Sequence, residues 1–244
     1  MSNYFFKYES FWSKVYQKKD QKSFNLHLRK KYIIEEIEKY SSNKRLKILD
    51  IGCGTGEIPF ELELKGYSNI IAQDISPNFI DIAKKKKSTN YKDSKIDFSV
   101  GGVCNLDFKD NMFDIVIAAG LIEWIRYDRW ALQEIRRVLK PEGILIVTAP
   151  NKLRLSNLLS IKKIKNLIRG RKLPRVQEPF SRHWYSINTL KELLVIAGFE
   201  IKKTRTNGFA NLFFNWYPKI SFNVFQLLQY IADKRNNSFI GRSG

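Results

Sequence analysis

Short apolar runs alternate with stretches of helical length from about residue 46 to residue 150. The runs near 46–51, 69–74, 96–100, 113–118 and 143–149 are dense in Ile, Val and Phe, as strands covered on both faces are. A strand-then-helix repeat of this kind predicts an α/β fold built on a doubly wound, mostly parallel, Rossmann-like sheet. Upstream, Phe5, Tyr8, Trp12, Val15 and Tyr16, and then Leu26, Ile33, Ile34 and Ile37, recur three and four residues apart. They predict a helical cap over residues 1–44. The core then spans 45–150, an insertion occupies 151–185, and residues 186–244 hold a helix, a sixth strand at 199–205 and an apolar segment. All of this reads as one domain, 1–244.

The first strand ends in Gly52-Cys53-Gly54-Thr55-Gly56. Glycines at alternate positions remove the Cβ atoms that keep a ligand off the backbone, so the turn is built to approach one closely. The second strand ends in Asp74, 22 residues after Gly52, where a ribose-binding carboxylate sits in a nucleotide-binding βαβ unit. The loop lacks the register that places a third glycine against a pyrophosphate, which favours a cofactor without phosphate. In such sheets ligands bind beyond the carboxyl ends of the strands, where Gly52, Asp74, Val103 and Ala119 converge.

These residues carry a resemblance to the class I S-adenosylmethionine-dependent methyltransferases, in particular the small-molecule branch with the ubiquinone-pathway O-methyltransferases. It runs over residues 25 to 205. It rests on Leu49-Asp50-Ile51-Gly52-Cys53-Gly54-Thr55-Gly56, on Asp74-Ile75-Ser76-Pro77, on Asn105-Leu106-Asp107-Phe108 and Asn111-Met112-Phe113-Asp114, and on Glu134-Ile135-Arg136-Arg137-Val138-Leu139-Lys140-Pro141-Glu142-Gly143. The order of these blocks matches as well as their content.

The resemblance implies S-adenosylmethionine as cofactor and assigns residues to it. Gly52, Cys53 and Gly54 line its methionine part, Asp74 takes the ribose hydroxyls, Ile75 packs on the adenine, and Ala119 turns a carbonyl toward the ammonium. Arg29 resembles the arginine that meets the methionine carboxylate. One feature departs from the family: the acid that usually follows the third strand and holds the adenine amino group is replaced by Gly101-Gly102-Val103. Backbone groups of Gly102 and Val103, or the Asp107 side chain, stand in for it.

Methyl transfer from a sulfonium already has a good leaving group, so alignment and exclusion of water do most of the work. A hydroxyl acceptor also benefits from a general base, and the candidates are Glu123 after the fourth strand and His183 in the insertion. Relatives often carry a histidine after the position of Glu123, where this chain has Trp124. With two histidines and two cysteines in the chain, no metal-ligand spacing is legible and no disulfide framework is indicated.

Charge widens the range of partners. Lys and Arg number 43 against 24 acids, a net +19. From Asn151 to Gln177 nine residues are basic and none acidic, interleaved with Leu155, Leu158, Leu159, Ile161, Ile164, Leu167 and Ile168. That is a basic amphipathic helix, which roofs a substrate pocket and also suits an anionic membrane face or nucleic-acid phosphates. The apolar stretch from Leu212 to Ile231 is too interrupted for a membrane span. The start of the chain lacks a signal-peptide pattern, so the expected location is the cytoplasm, with peripheral contact at the inner membrane face. The chain stops at Gly244 on the approach to an expected seventh strand; an edge left uncovered there would favour pairing with another chain.

The leading expectation is therefore methyl transfer to a small, hydrophobic or lipid-linked acceptor, at oxygen. A nucleic-acid methyltransferase and a non-catalytic cofactor-binding relative are the alternatives.

Overall fold

The computed structural model describes residues 21–151 and 183–205. Its elements are α1 (Gln21–Tyr40), β1 (Lys47–Ile51), α2 (Glu57–Leu64), β2 (Asn69–Asp74), α3 (Pro77–Asn90), β3 (Asp97–Val100), β4 (Phe113–Ala119), a 3-10 turn (Ile122–Trp124), α4 (Asp128–Val138), β5 (Leu139–Thr148) and α5 (Ile187–Ile196). The strands form one parallel sheet in the order β3-β2-β1-β4-β5. Connections leaving β1 run to one side and those from β4 to the other, so the order reverses between β1 and β4. The crevice for a ligand opens at that reversal, beyond the carboxyl ends.

Alternation along each strand sends side chains to two cores. On one face Ile48, Ile70, Ala72, Ile115 and Ile117 meet Ile33, Ile34 and Ile37 of α1, with Phe60 and Leu62 of α2 and Ile80 and Ala83 of α3. On the other, Leu49, Ile51, Val116 and Ala118 meet Ala131, Leu132, Ile135 and Val138 of α4 and Leu193 and Leu194 of α5. The four α4 residues are fully buried and spaced i, i+1, i+4, i+7, a single stripe. The cap helix predicted upstream is thus real over α1, and its apolar face closes the first core.

Helix starts follow local chemistry. Ser76 accepts the amide of Phe79 and Pro77 occupies the first turn of α3; Ser186 accepts the amide of Thr189 at the start of α5. Arg137 on α4 organises the loop before β4. It donates to Glu134, Asp110 and the carbonyls of Leu106 and Phe108, at 2.7–2.9 Å.

Two expectations need correction. The fifth strand begins at Leu139 rather than near 143, because Leu139 already pairs with Phe113 before the register shifts and resumes at Ile115 and Ile144. Lys140 to Gly143 form the bulge, with Glu142 at φ 64 and its carbonyl taking the Tyr40 hydroxyl at 3.0 Å. A Cβ on Gly143 would stand 2.8 Å from Leu139 Cγ, which explains the glycine.

Among the described residues, the sixth strand predicted at 199–205 is reduced to a single bridge residue, Lys203. No described strand lies beyond β5 to pair with it. Its side chains are used instead to grip α1: Lys203 binds both carboxylate oxygens of Glu36 at 2.8 Å, and the Arg205 guanidinium lies 3.4 Å from the centre of the Tyr32 ring. The first cap helix, the basic helix of 151–177, the C-terminal apolar segment and the expected seventh strand all lie outside the described residues.

Candidate functional site

Three glycines at alternate positions give the loop after β1 its shape. Gly52, Gly54 and Gly56 have φ of 72°, 55° and 84°, a region that L side chains resist. The amides of Gly52 and Cys53 both donate to the Gln73 carbonyl, at 2.7 and 3.0 Å, and the Gly54 amide donates to Asp74 Oδ2 at 2.9 Å. Asp74 Oδ1 takes the Ser76 amide at 2.9 Å. The carboxylate is thereby fixed at the end of β2.

The glycines differ in what surrounds them. A Cβ on Gly56 would press on Phe60 and Phe98 at 2.9–3.0 Å, and one on Gly52 would lie 3.1 Å from Leu121. Around Gly54 nothing lies within 4 Å of that position. Gly56 therefore serves packing, whereas Gly54 faces open space beside Asp74.

On the adenine side, Ile75 is 60% exposed although it is a large aliphatic residue. Its Cδ1 is 3.8 Å from the position of a Gly102 Cβ, and the Gly101 amide donates to the Asp74 carbonyl at 3.0 Å. Val103 is buried in the second core. The structure thus brings the exposed Ile75 side chain against Gly102 at the end of β2, next to Asp74.

On the methionine side, the reading from residues missed Asp50. It sits in β1, fully buried, and neither carboxylate oxygen has a hydrogen-bond partner among the described residues. Burial raises its pKa to about 7; the Arg29 charge pulls it back and Asp74 pushes it further up. An acid inside an otherwise apolar strand was a visible signal, because such a group is costly unless something outside the strand satisfies it. The ammonium of a bound ligand is a group of the right charge to do so. Burial, with Asp50 and Asp74 nearby, also holds the Cys53 thiol well above its usual pKa, so Cys53 lines the loop as a neutral group.

Arg29 reaches the same place from α1. A Cβ on Gly120, at φ 72°, would collide with Arg29 Nη1 and stand 3.6 Å from Glu123 Oε1. Ala119 ends β4 one residue earlier, opposite Thr148 of β5. The candidate residues Arg29, Gly52, Cys53, Gly54, Asp74, Ile75, Gly102 and Ala119 therefore share one end of the sheet, with Val103 just behind. Two carboxylates, a guanidinium, the open space around Gly54 and the exposed Ile75 side chain fit the ammonium, carboxylate, ribose and purine of S-adenosylmethionine.

Glu123 and His183 are also brought together. Glu123 is buried on the 3-10 turn after β4, and the His183 amide donates to its carbonyl at 2.7 Å. The His183 ring is half-exposed, with Nδ1 3.6 Å from Asp128 Oδ2. Tyr185, buried nearby, donates its hydroxyl to the same Oδ2 at 2.9 Å. Nothing in the sequence marked Asp128, since an acid in the first turn of a helix is ordinary. Among the described residues no three His, Cys, Asp or Glu side chains are grouped to hold a metal, and no helix is long and apolar enough to cross a membrane.

The model of the methyltransferase domain family matches residues 49–147, from β1 to β5. An uncharacterized protein of Methanocaldococcus jannaschii is 30% identical over 92% of this chain and 91% of its own length. The ubiquinone biosynthesis O-methyltransferase of Rickettsia prowazekii is 27% identical over 73% of this chain and 69% of that one. Over other curated relatives the match spans about half of each chain. Among solved structures, a SAM-dependent methyltransferase from Methanosarcina mazei superposes with a TM-score of 0.57 at 26% identity, covering 70% of this chain and 87% of that one. The chain belongs to the class I S-adenosylmethionine-dependent methyltransferases, and S-adenosylmethionine is its cofactor.

Proposed function

We propose that the chain methylates an oxygen of a small hydrophobic or lipid-linked acceptor, with His183 taking the hydroxyl proton. The observation that carries this reading is the docking of His183 on the turn that follows β4, its amide on the Glu123 carbonyl at 2.7 Å. That turn borders the place where Gly120, Arg29 and Glu123 meet. The likeness to an enzyme named for ubiquinone biosynthesis supports an oxygen acceptor.

S-adenosylmethionine supplies an electrophilic methyl on a charged sulfur. The chain's own residues hold and align. Asp74 and the glycine loop fix the ribose end, Arg29 and Asp50 the amino-acid end, and the parallel sheet keeps these anchors rigid. Of the two candidate bases, Glu123 is 3% exposed and sits behind Gly120, whereas the His183 side chain is 32% exposed and so open to an incoming hydroxyl. Glu123 then acts as a buried counter-charge on the Arg29 side.

The test is transfer of labelled methyl to catechols and quinols with and without isoprenoid tails. The expected result is an O-methyl product whose rate falls about 100-fold or more in His183→Ala, the usual scale for a lost general base. Carbon or nitrogen methylation would contradict it.

A second reading, methylation of RNA, is favoured by a groove of about 670 Å³ lined by Arg126, Tyr127, Arg129 and Trp130. Both aromatic rings are well exposed there. Stacking rings beside guanidinium groups suit single-stranded nucleic acid. Retention of RNA that weakens steeply with salt, and methyl counts in the RNA, would support this reading over the first.

A further inference from the structure

We propose that Asp128 is the positioning residue for His183, fixing which ring nitrogen is free to take a proton, and that Tyr185 clamps Asp128 for this task. The proposal rests on the oxygen-methylation reading above, because it gives His183 its catalytic use.

The geometry begins with how the segment after the insertion returns to the sheet. Asn151, just beyond β5, forms a parallel bridge with Tyr185, and the His183 amide bonds to the Glu123 carbonyl. Residues 183–185 are therefore laid across the turn between β4 and α4. Tyr185 is 5% exposed; its hydroxyl donates to Asp128 Oδ2 at 2.9 Å and also approaches the Ile122 carbonyl at 3.4 Å. Burial and the Asp128 bond both raise the pKa of this phenol, so it remains a donor.

Asp128 is held from both sides. Oδ1 accepts the Arg129 amide at 2.8 Å while Oδ2 accepts Tyr185. The carboxylate cannot turn without breaking both bonds. Its Oδ2 lies 3.6 Å from His183 Nδ1, just beyond hydrogen-bond distance, so the pairing requires the imidazole to draw in by about 0.5 Å on substrate binding. Among the described residues, the groups facing His183 are Asp128, the Tyr185 ring at 6.1 Å and the main chain of Glu123. A carboxylate on Nδ1 favours the tautomer that carries its proton there, which leaves the lone pair on Nε2, the nitrogen directed away from Asp128.

The chain has two histidines, so the ring of His183 can be assigned in nitrogen NMR spectra by comparison with His27→Gln. In the wild type the neutral ring is expected to carry its proton on Nδ1. Asp128→Asn should lose that preference while S-adenosylhomocysteine affinity stays within error; an amide accepts at only one of the two positions, so a small drop in melting temperature is expected with it. In turnover, Asp128→Asn should lower kcat about 10- to 1,000-fold with KM for S-adenosylmethionine unchanged. The double variant with His183→Ala should be no slower than His183→Ala alone. Tyr185→Phe, which keeps the ring but frees the carboxylate, should show a weaker version of both effects.

A neutral His183 protonated on Nε2 in the wild type would overturn the proposal without any variant. So would the same tautomer in wild type and Asp128→Asn, or an additive loss in the double variant. If the tautomer is as expected but His183→Ala turns over at the wild-type rate, the proton-acceptor reading fails instead, and the catalytic use of the pair fails with it.

Discussion

Gly54 and Asp74 are joined by a 2.9 Å hydrogen bond from the glycine amide to the carboxylate, so the loop after β1 and the end of β2 move as one unit. The residue expected to hold the ribose also holds the loop expected to hold the methionine part. Asp74→Asn keeps the size but removes the charge. Affinity for S-adenosylhomocysteine should fall on the order of 10- to 100-fold, the worth of about one hydrogen bond to a charged group. Isothermal calorimetry measures it.

Gly54 and Gly56 separate binding from folding. Each has a positive φ, and alanine there costs about 1–2 kcal/mol from backbone strain alone. Gly54→Ala meets no neighbour, so its further effect should appear as lost cofactor affinity. Gly56→Ala collides with Phe60 and Phe98 and should destabilise the fold by about 2–5 kcal/mol in total. Urea melts with and without S-adenosylhomocysteine distinguish the two.

Asp50 makes the site sensitive to pH. Its folded pKa, about 7, lies above the ordinary 3.8, so the folded protein binds more protons than the unfolded one across that interval. Stability of the free protein should therefore be fully present below about pH 4 and fall as pH rises through 7, by up to roughly 1.4 kcal/mol per unit from this group. A ligand ammonium reverses the sense, since it favours the ionised acid; S-adenosylhomocysteine should bind more tightly above pH 7 than below. Asp50→Asn should flatten both trends, read by thermal melts and calorimetry across pH 5 to 8.5.

Arg137 holds the loop that leads from β3 into β4. Arg137→Ala strands the carbonyls of Leu106 and Phe108 and the Glu134 carboxylate. Because the group is partly exposed, water replaces some of the loss, and the expected cost is about 1–3 kcal/mol. Hydrogen exchange should quicken at Leu106 and Phe108 while the β1 amides stay protected.

The sheet was legible because strands buried on both faces leave continuous apolar runs, as Ile48 to Ile51 and Phe113 to Ile117 do, and because positive-φ turns leave glycines. The bulge at Lys140 to Gly143 was not, since its cause is a partner across the sheet, Phe113, that no local pattern contains. The reduction of 199–205 to one bridge residue among the described residues is of the same kind: the segment has strand character, but pairing depends on a neighbour. At the site, Asp74 and the glycines follow from spacing. Asp128 and Tyr185 lie 57 residues apart and meet only after folding, so neither carried a signal by itself.

The measurement that bears most directly on this account is calorimetric titration of the chain with S-adenosylhomocysteine, beside Asp74→Ala of matched secondary structure. Micromolar binding to the wild type, at one site and lost in the variant, is the expected result. A folded wild type that binds nothing, or a variant that binds equally well, would contradict the site built here from the glycine loop, Asp50 and Asp74.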